Sequence, residues 1–203
     1  MRVEILTYDG VSEVDVVMAL HALTVAGRFG GDVDVRLVTA DGRPEVTGAD
    51  LARLTGLEPW QPERADVLLV TGGWIEETIE KGDVPRQLRE AKERGGDGLV
   101  LGGVCAGALL LGAAGLIGGR PATTHHPAFE WLATWAEVID ARIVDDGDLI
   151  TAGGGPKAAF DLALYLIERE LGDPRLAAKV EQFMEHDRRG TVWRRAQEAE
   201  SVS

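Results

Sequence analysis

The stretch Gly98-Leu-Val-Leu-Gly-Gly-Val-Cys105-Ala-Gly107-Ala-Leu-Leu-Leu-Gly-Ala-Ala-Gly-Leu116 decides the fold. Residues 98–104 form a continuous apolar run, which predicts a strand buried on both faces, as in a parallel sheet. Residues 106–116 are nearly all apolar and predict a helix that begins at once. Between them stands Gly103-x-Cys105-x-Gly107, the cysteine form of a nucleophile elbow. So sharp a turn forces its middle residue into a strained backbone conformation, and close packing leaves room only for glycine on either side. The helix N-terminus turns free N–H groups and its positive dipole end toward the sulfur, which is expected to lower the thiol pKa. The Ala106 N–H is placed to join an oxyanion hole. The alternative is a structural cysteine packed as a small hydrophobe.

This stretch lies within 22 uncharged residues between Asp97 and Arg120, about the length of a membrane span. Eight of the 22 are glycine, no Trp or Tyr marks either end, and Gly102-Gly103 divides the run. A buried strand and helix are expected instead, and no membrane partner. The whole chain of 203 residues has a formal net charge of -13, which argues against nucleic acid and anionic membranes as partners. Its single cysteine precludes an internal disulfide. The first residues lack the apolar core of a signal peptide, so a cytoplasmic location is expected.

Outward from the elbow, short apolar runs alternate with helical patterns. Strands are predicted over residues 3–7, 33–39, 65–71, 98–104 and 149–152. Helices are predicted over 12–26, 84–93, 106–116 and 156–171, the last with Pro156 in its first turn. Residues 41–64 suit a small hairpin. Strands alternating with helices imply an α/β, doubly wound, mostly parallel sheet with helices on both faces. One domain over residues 1–186 is expected, followed by a charged, frayed tail over 187–203.

Five motifs occur in order: Val11-Ser-Glu-Val-Asp15, Val70-Thr-Gly-Gly73, Gly103-Val-Cys-Ala-Gly107, Ala122-Thr-Thr-His125 and Thr151-Ala-Gly-Gly-Gly155. With them the chain resembles the PfpI-type superfamily, which includes parkinsonism-associated deglycases and bacterial isonitrile hydratases. The resemblance spans about residues 1–185 and implies a flavodoxin-like fold with the site at the carboxyl ends of the strands. It implies Cys105 as nucleophile, Asp15 as the protonated acid beside it, the Gly73 amide as second oxyanion donor with Ala106, and His125 near the cysteine. A carboxyl among apolar groups and beside a thiolate should have a raised pKa. From residues alone, Ser12-Glu-Val-Asp15 also scans as a capping box that merely closes a helix start. Glu13 is the alternative acid, two residues from the matching position.

Adjacent His125 and His126 do not suit one metal ion, and no spacing supports a metal site. His126 reads as an exposed loop residue, and His21 and His186 match nothing in the family. Protease-type members carry His directly after the cysteine, and isonitrile hydratases carry Thr. Ala106 stands there in this chain, as in the deglycase-like branch, whose acid is usually Glu.

The resemblance implies a cofactor-independent lyase that hydrates an isonitrile, a small electrophilic substrate, to an N-substituted formamide. A glyoxalase or deglycase acting on dicarbonyls, and a non-enzymatic sensor oxidised at Cys105, are the other expectations. Many relatives pair near the active site, so a homodimer is expected.

Overall fold

A computed structural model describes residues 1–195. In chain order the strands are β1 (Arg2–Leu6), β2 (Asp34–Thr39), β3 (Glu45–Thr47), β4 (Arg53–Thr55), β5 (Glu58–Pro59), β6 (Val67–Val70), β7 (Val100–Val104), β8 (Pro121–Ala122), β9 (Glu137–Val138), β10 (Ile143–Asp145), β11 (Leu149–Ala152) and β12 (Val192–Arg194). The helices are α1 (Glu13–Arg28), α2 (Glu76–Lys81), α3 (Asp83–Gly95), α4 (Gly107–Ala113), α5 (Phe129–Leu132), α6 (Ala158–Glu170) and α7 (Pro174–Phe183).

Eight strands form one sheet in the order β12-β10-β11-β7-β6-β1-β2-β5. Every pair in it is parallel except β10 with β11. The continuous apolar runs are indeed the central strands: Val67–Val70 is buried throughout. Helices α1, α6 and α7 pack together, as do α3, α4 and α5, and the two groups flank the sheet. This is the flavodoxin-like, doubly wound architecture expected from the alternation of elements. Among the described residues no helix is long and apolar enough to cross a membrane. The uncharged run over 98–119 folds as β7 and the short α4.

The chain runs from β1 outward to β2 and then crosses back to β6 on the other side of β1. The order therefore reverses beside β1, the position at which open α/β sheets place their sites, at the carboxyl ends of the strands. Register places Leu6 beside Val70 and Val70 beside Gly103. The three chain exits at residues 7, 71 and 105 are thus neighbours.

Several elements depart from the sequence reading. Helix α4 ends at Ala113 rather than at 116; Gly112 is pressed against Trp135, and Gly115 takes a positive φ of 76°. Pro156 lies outside α6, whose N-cap is Lys157. The hairpin over 41–64 forms as β3 and β4. Helix α7 was not foreseen, although Asp173 caps it by accepting the Leu176 N–H at 2.9 Å and Pro174 opens it. Residues from 187 on read as a tail, yet Val192–Arg194 lies parallel to β10. There Tyr165 and Asp145 hold the Arg194 guanidinium, a long-range contact that composition does not reveal. Residues 196–203 of the expected tail lie outside the described residues.

Candidate active site

The elbow is built as its glycines require. Cys105 takes φ 54°, the left-handed region that a side chain rarely occupies. A Cβ on Gly107 would stand 2.1 Å from the Val70 carbonyl oxygen, and one on Gly103 3.1 Å from Leu111 Cδ1. Three hydrogen bonds hold the strained residue. The Cys105 N–H donates to Ala152 O at 3.0 Å. Its carbonyl accepts the Thr124 hydroxyl at 2.6 Å and the His125 N–H at 3.4 Å. Such over-determination is what keeps a strained conformation in place. The residue is 7% exposed.

Asp15 reaches the elbow from the first turn of α1 and is completely buried. Ser12 caps the helix by accepting the Asp15 N–H at 3.3 Å, so half of a capping box forms. The other half does not: the Ser12 N–H donates to Gly72 O at 2.8 Å. The Asp15 carboxylate turns instead to the strand end after β6, where Oδ2 accepts the Gly72 N–H at 2.9 Å. Its Oδ1 is buried without a hydrogen-bond partner. Burial pushes the Asp15 carboxyl up to about 7, although the Gly72 N–H, the Ser12 hydroxyl and the Cys105 thiol draw it back.

The thiol departs from expectation. Burial, then the charge and hydrogen bonding of Asp15, push Cys105 up to about 12, and the Ala106 N–H only partly offsets them. The amide at the helix start acts in the expected direction but is outweighed. Helix α4 has 7 residues, while the thiol is nearly sealed from water beside a carboxylate. Cys105 and Asp15 titrate as one unit, in which either charge opposes the other.

Of the two expected oxyanion donors, Ala106 follows Cys105 directly and Gly73 follows the glycine that bonds Asp15. Gly73 pairs with Val11 in an isolated antiparallel bridge. Its two bonds run from the Ser12 N–H to Gly72 O and from the Trp74 N–H to Gly10 O, which leaves the Gly73 N–H outside the ladder. Gly73 needs its identity: φ is 141° and a Cβ would lie 2.1 Å from Gly10 O.

His125 touches the elbow through its backbone, and its ring lies beside Gly155. His126 is exposed and 3.2 Å from Asp140. His186 pairs with buried Asp161 at 2.7 Å, and His21 is exposed on α1. Glu13 is engaged elsewhere: its carboxylate accepts the N–H groups of Asp50 and Ala52. Burial opposes its ionisation, but these amides hold its pKa below the usual carboxylate range. Sequence reading gave no role to three neighbours of the pair: Gly72, which lies in the Val70–Gly73 motif, Thr124 and Tyr8. Thr124 lies inside a quoted motif, but nothing in the sequence shows that its hydroxyl points at the elbow.

The description "DJ-1/PfpI family" matches residues 1–169 of this chain. The isonitrile hydratase of Pseudomonas putida is 35% identical over 144 residues, 70% of this chain and 61% of that protein. The HTH-type transcriptional regulator CdhR of Pseudomonas aeruginosa is 33% identical over 186 residues, 88% of this chain. The chain spans only 53% of that regulator's length. A ThiJ/PfpI family protein from Pseudomonas syringae superposes with a TM-score of 0.78 at 25% identity, covering 93% of this chain and 76% of that one.

Proposed function

The chain belongs to the DJ-1/PfpI family, and from that premise we propose that it is a cofactor-independent enzyme hydrating an isonitrile, with Cys105 as nucleophile and Asp15 as acid and base. One observation carries the reading: a completely buried carboxyl, brought to about 7, interacts with the chain's only thiol. A group poised there can both give and take a proton at neutral pH. The similarity to an isonitrile hydratase supports the choice of electrophile.

The reaction adds one water to the substrate. Asp15 as carboxylate accepts the Cys105 thiol proton while sulfur attacks the terminal isonitrile carbon. The C–S bond forms, and Asp15 returns the proton to that carbon, giving a thioimidate. Asp15, again a carboxylate, takes a proton from water as its oxygen adds to the same carbon. Asp15 passes that proton to the nitrogen, the C–S bond breaks as the new hydroxyl becomes the carbonyl, and the hydroxyl proton goes by way of Asp15 to sulfur. The product is an N-substituted formamide. The Gly73 and Ala106 N–H groups would stabilise the charge that develops during water addition.

The test is formamide production from an alkyl isonitrile. Native protein should turn over, and Cys105→Ala and Asp15→Asn should not. Consumption of methylglyoxal instead, dependent on Cys105, would favour the dicarbonyl enzyme. No turnover of either substrate, with rapid sulfinate formation under dilute peroxide, would favour the sensor.

A further inference from the structure

Tyr8, just after β1, lies in none of the motifs, is 6% exposed and directs its hydroxyl at the strand end after β6. The phenol oxygen stands 2.8 Å from Thr71 O and 2.9 Å from Gly72 O. Both partners are carbonyls, so the hydroxyl is the donor, sharing one proton between two acceptors. No peptide bond here is cis, and in a trans peptide the N–H points opposite to the carbonyl in the same plane. The plane that carries Thr71 O also carries the Gly72 N–H, which is bonded to Asp15 Oδ2. The plane that carries Gly72 O also carries the Gly73 N–H, the candidate oxyanion donor. One phenol therefore holds the back of both peptide planes whose front edges face the site.

We propose that Tyr8 is a positioning residue, whose hydroxyl aims the Gly72 N–H at Asp15 and the Gly73 N–H at the charge that develops during water addition. The role rests on the reading of Cys105 and Asp15 as a working pair. The Ser12 N–H also bonds Gly72 O at 2.8 Å, and the phenol adds a second hold where two successive glycines are the least restrained backbone a chain can offer. No side chain can be added there: a Cβ on Gly72 would stand 2.7 Å from the Ala106 nitrogen. Tyr8 itself does not serve as an acid, since its proton is committed to the two carbonyls. Burial, with the charges of Asp15 and Cys105, raises its pKa well above the usual phenol value, so it stays a donor at neutral pH.

The experiment is the pH dependence of Cys105 alkylation by iodoacetamide, read by intact mass. In the native chain the rate should rise first as Asp15 ionises and becomes a base beside the thiol. In Tyr8→Phe the Gly72 N–H is released, the carboxylate loses a stabilising partner, and this first rise should move alkaline by roughly half a unit or more. Tyr165→Phe removes the other tyrosine hydroxyl, which bonds Asp145, and should leave the profile in place at a similar stability loss. A folded Tyr8→Phe whose profile superimposes on the native one overturns the proposal.

If Tyr8→Phe does not fold, 3-fluorotyrosine in the Tyr165→Phe chain labels Tyr8 alone, since the chain has two tyrosines. Its fluorine resonance should titrate with Asp15 and stop doing so in Asp15→Asn; a resonance insensitive to that ionisation overturns the proposal equally. Neither readout uses the substrate. A chain that hydrates no isonitrile still decides the role of Tyr8, and full turnover with an unmoved profile sinks Tyr8 alone.

Discussion

Gly72, at the carboxyl end of β6, donates its N–H to Asp15 Oδ2 in the first turn of α1 at 2.9 Å. Against burial stand only this bond to Oδ2 and the weaker pull of the Ser12 hydroxyl and the Cys105 thiol, while Oδ1 has no hydrogen-bond partner. Burial therefore dominates, and the carboxyl rises from 3.8 to about 7.

The sign of the resulting pH dependence follows from proton counting. Between about pH 4 and pH 7 the folded chain binds a proton at Asp15 that the unfolded chain has lost. Stability associated with this group is fully present below the unfolded pKa and falls as pH rises through 7. Asp15→Asn removes the ionisation. It should be close to neutral at pH 4 and stabilising at pH 8, by on the order of 3 kcal/mol. Urea unfolding of both proteins at the two pH values checks it, and an equal effect at both would contradict a raised pKa.

Cys105 should alkylate more slowly than free cysteine at neutral pH, by roughly tenfold or more. Burial and Asp15 oppose the thiolate. Its rate should rise in two stages, a small one near 7 with Asp15 and a larger one toward 12. A single plateau reached below about pH 8.5, the free-cysteine value, would show that the helix terminus outweighs burial after all.

Gly107→Ala tests the elbow itself. The added methyl would lie 2.1 Å from Val70 O, a backbone atom of a buried strand that cannot swing aside. A loss of roughly 3 kcal/mol or more is expected, since overpacking here displaces a central strand. Alanine at Gly98, where a Cβ meets nothing within 4 Å, is the control. Similar melting temperatures for the two variants would disprove the close approach of β6 to the elbow.

What the sequence made legible follows the range of each interaction. Val67–Val70 and the 98–104 run declare themselves because a fully buried strand has to be apolar. Gly103 and Gly107 declare the elbow because only absent side chains fit. Asp15 could be read as cap or acid, and the deciding contact, Gly72, is 57 positions away. Strand β10 was missed because it is three residues long, Ile143–Asp145, and ends in a charged residue whose partners are Tyr165 and Arg169. Local helix electrostatics at Cys105 can be read from sequence, while the depth of burial that opposes them cannot.

A homodimer is expected through the outer face of α1. Val14 and Val17 are 39% and 51% exposed. With Met18 and His21 they recur at helical spacing on one stripe, one position from buried Asp15. The net charge of -13 opposes approach at low salt, so association should strengthen with ionic strength. Light scattering at moderate salt should report a dimer for the native chain and a monomer for Val17→Asp. A native monomer under those conditions defeats the expectation.

Ala106→Thr bears most directly on the reaction. Ala106 precedes α4 with φ -76° and ψ -2° and caps nothing with its side chain. Threonine tolerates that backbone and would place a hydroxyl beside Cys105, as in the isonitrile hydratase branch. The neighbourhood is close, since a Cβ on Gly72 would stand 3.2 Å from Ala106 Cβ. The branched side chain therefore has to fit beside Gly72. If the chemistry is isonitrile hydration, turnover should increase by up to about tenfold, equivalent to about 1.4 kcal/mol, which one well-placed hydrogen bond supplies. The gain should vanish in Asp15→Asn, because the hydroxyl can align a proton but cannot replace the group that gives and takes it. Native and Ala106→Thr proteins that both leave isonitriles untouched, yet consume methylglyoxal in a Cys105-dependent way, would transfer the same pair to dicarbonyl chemistry.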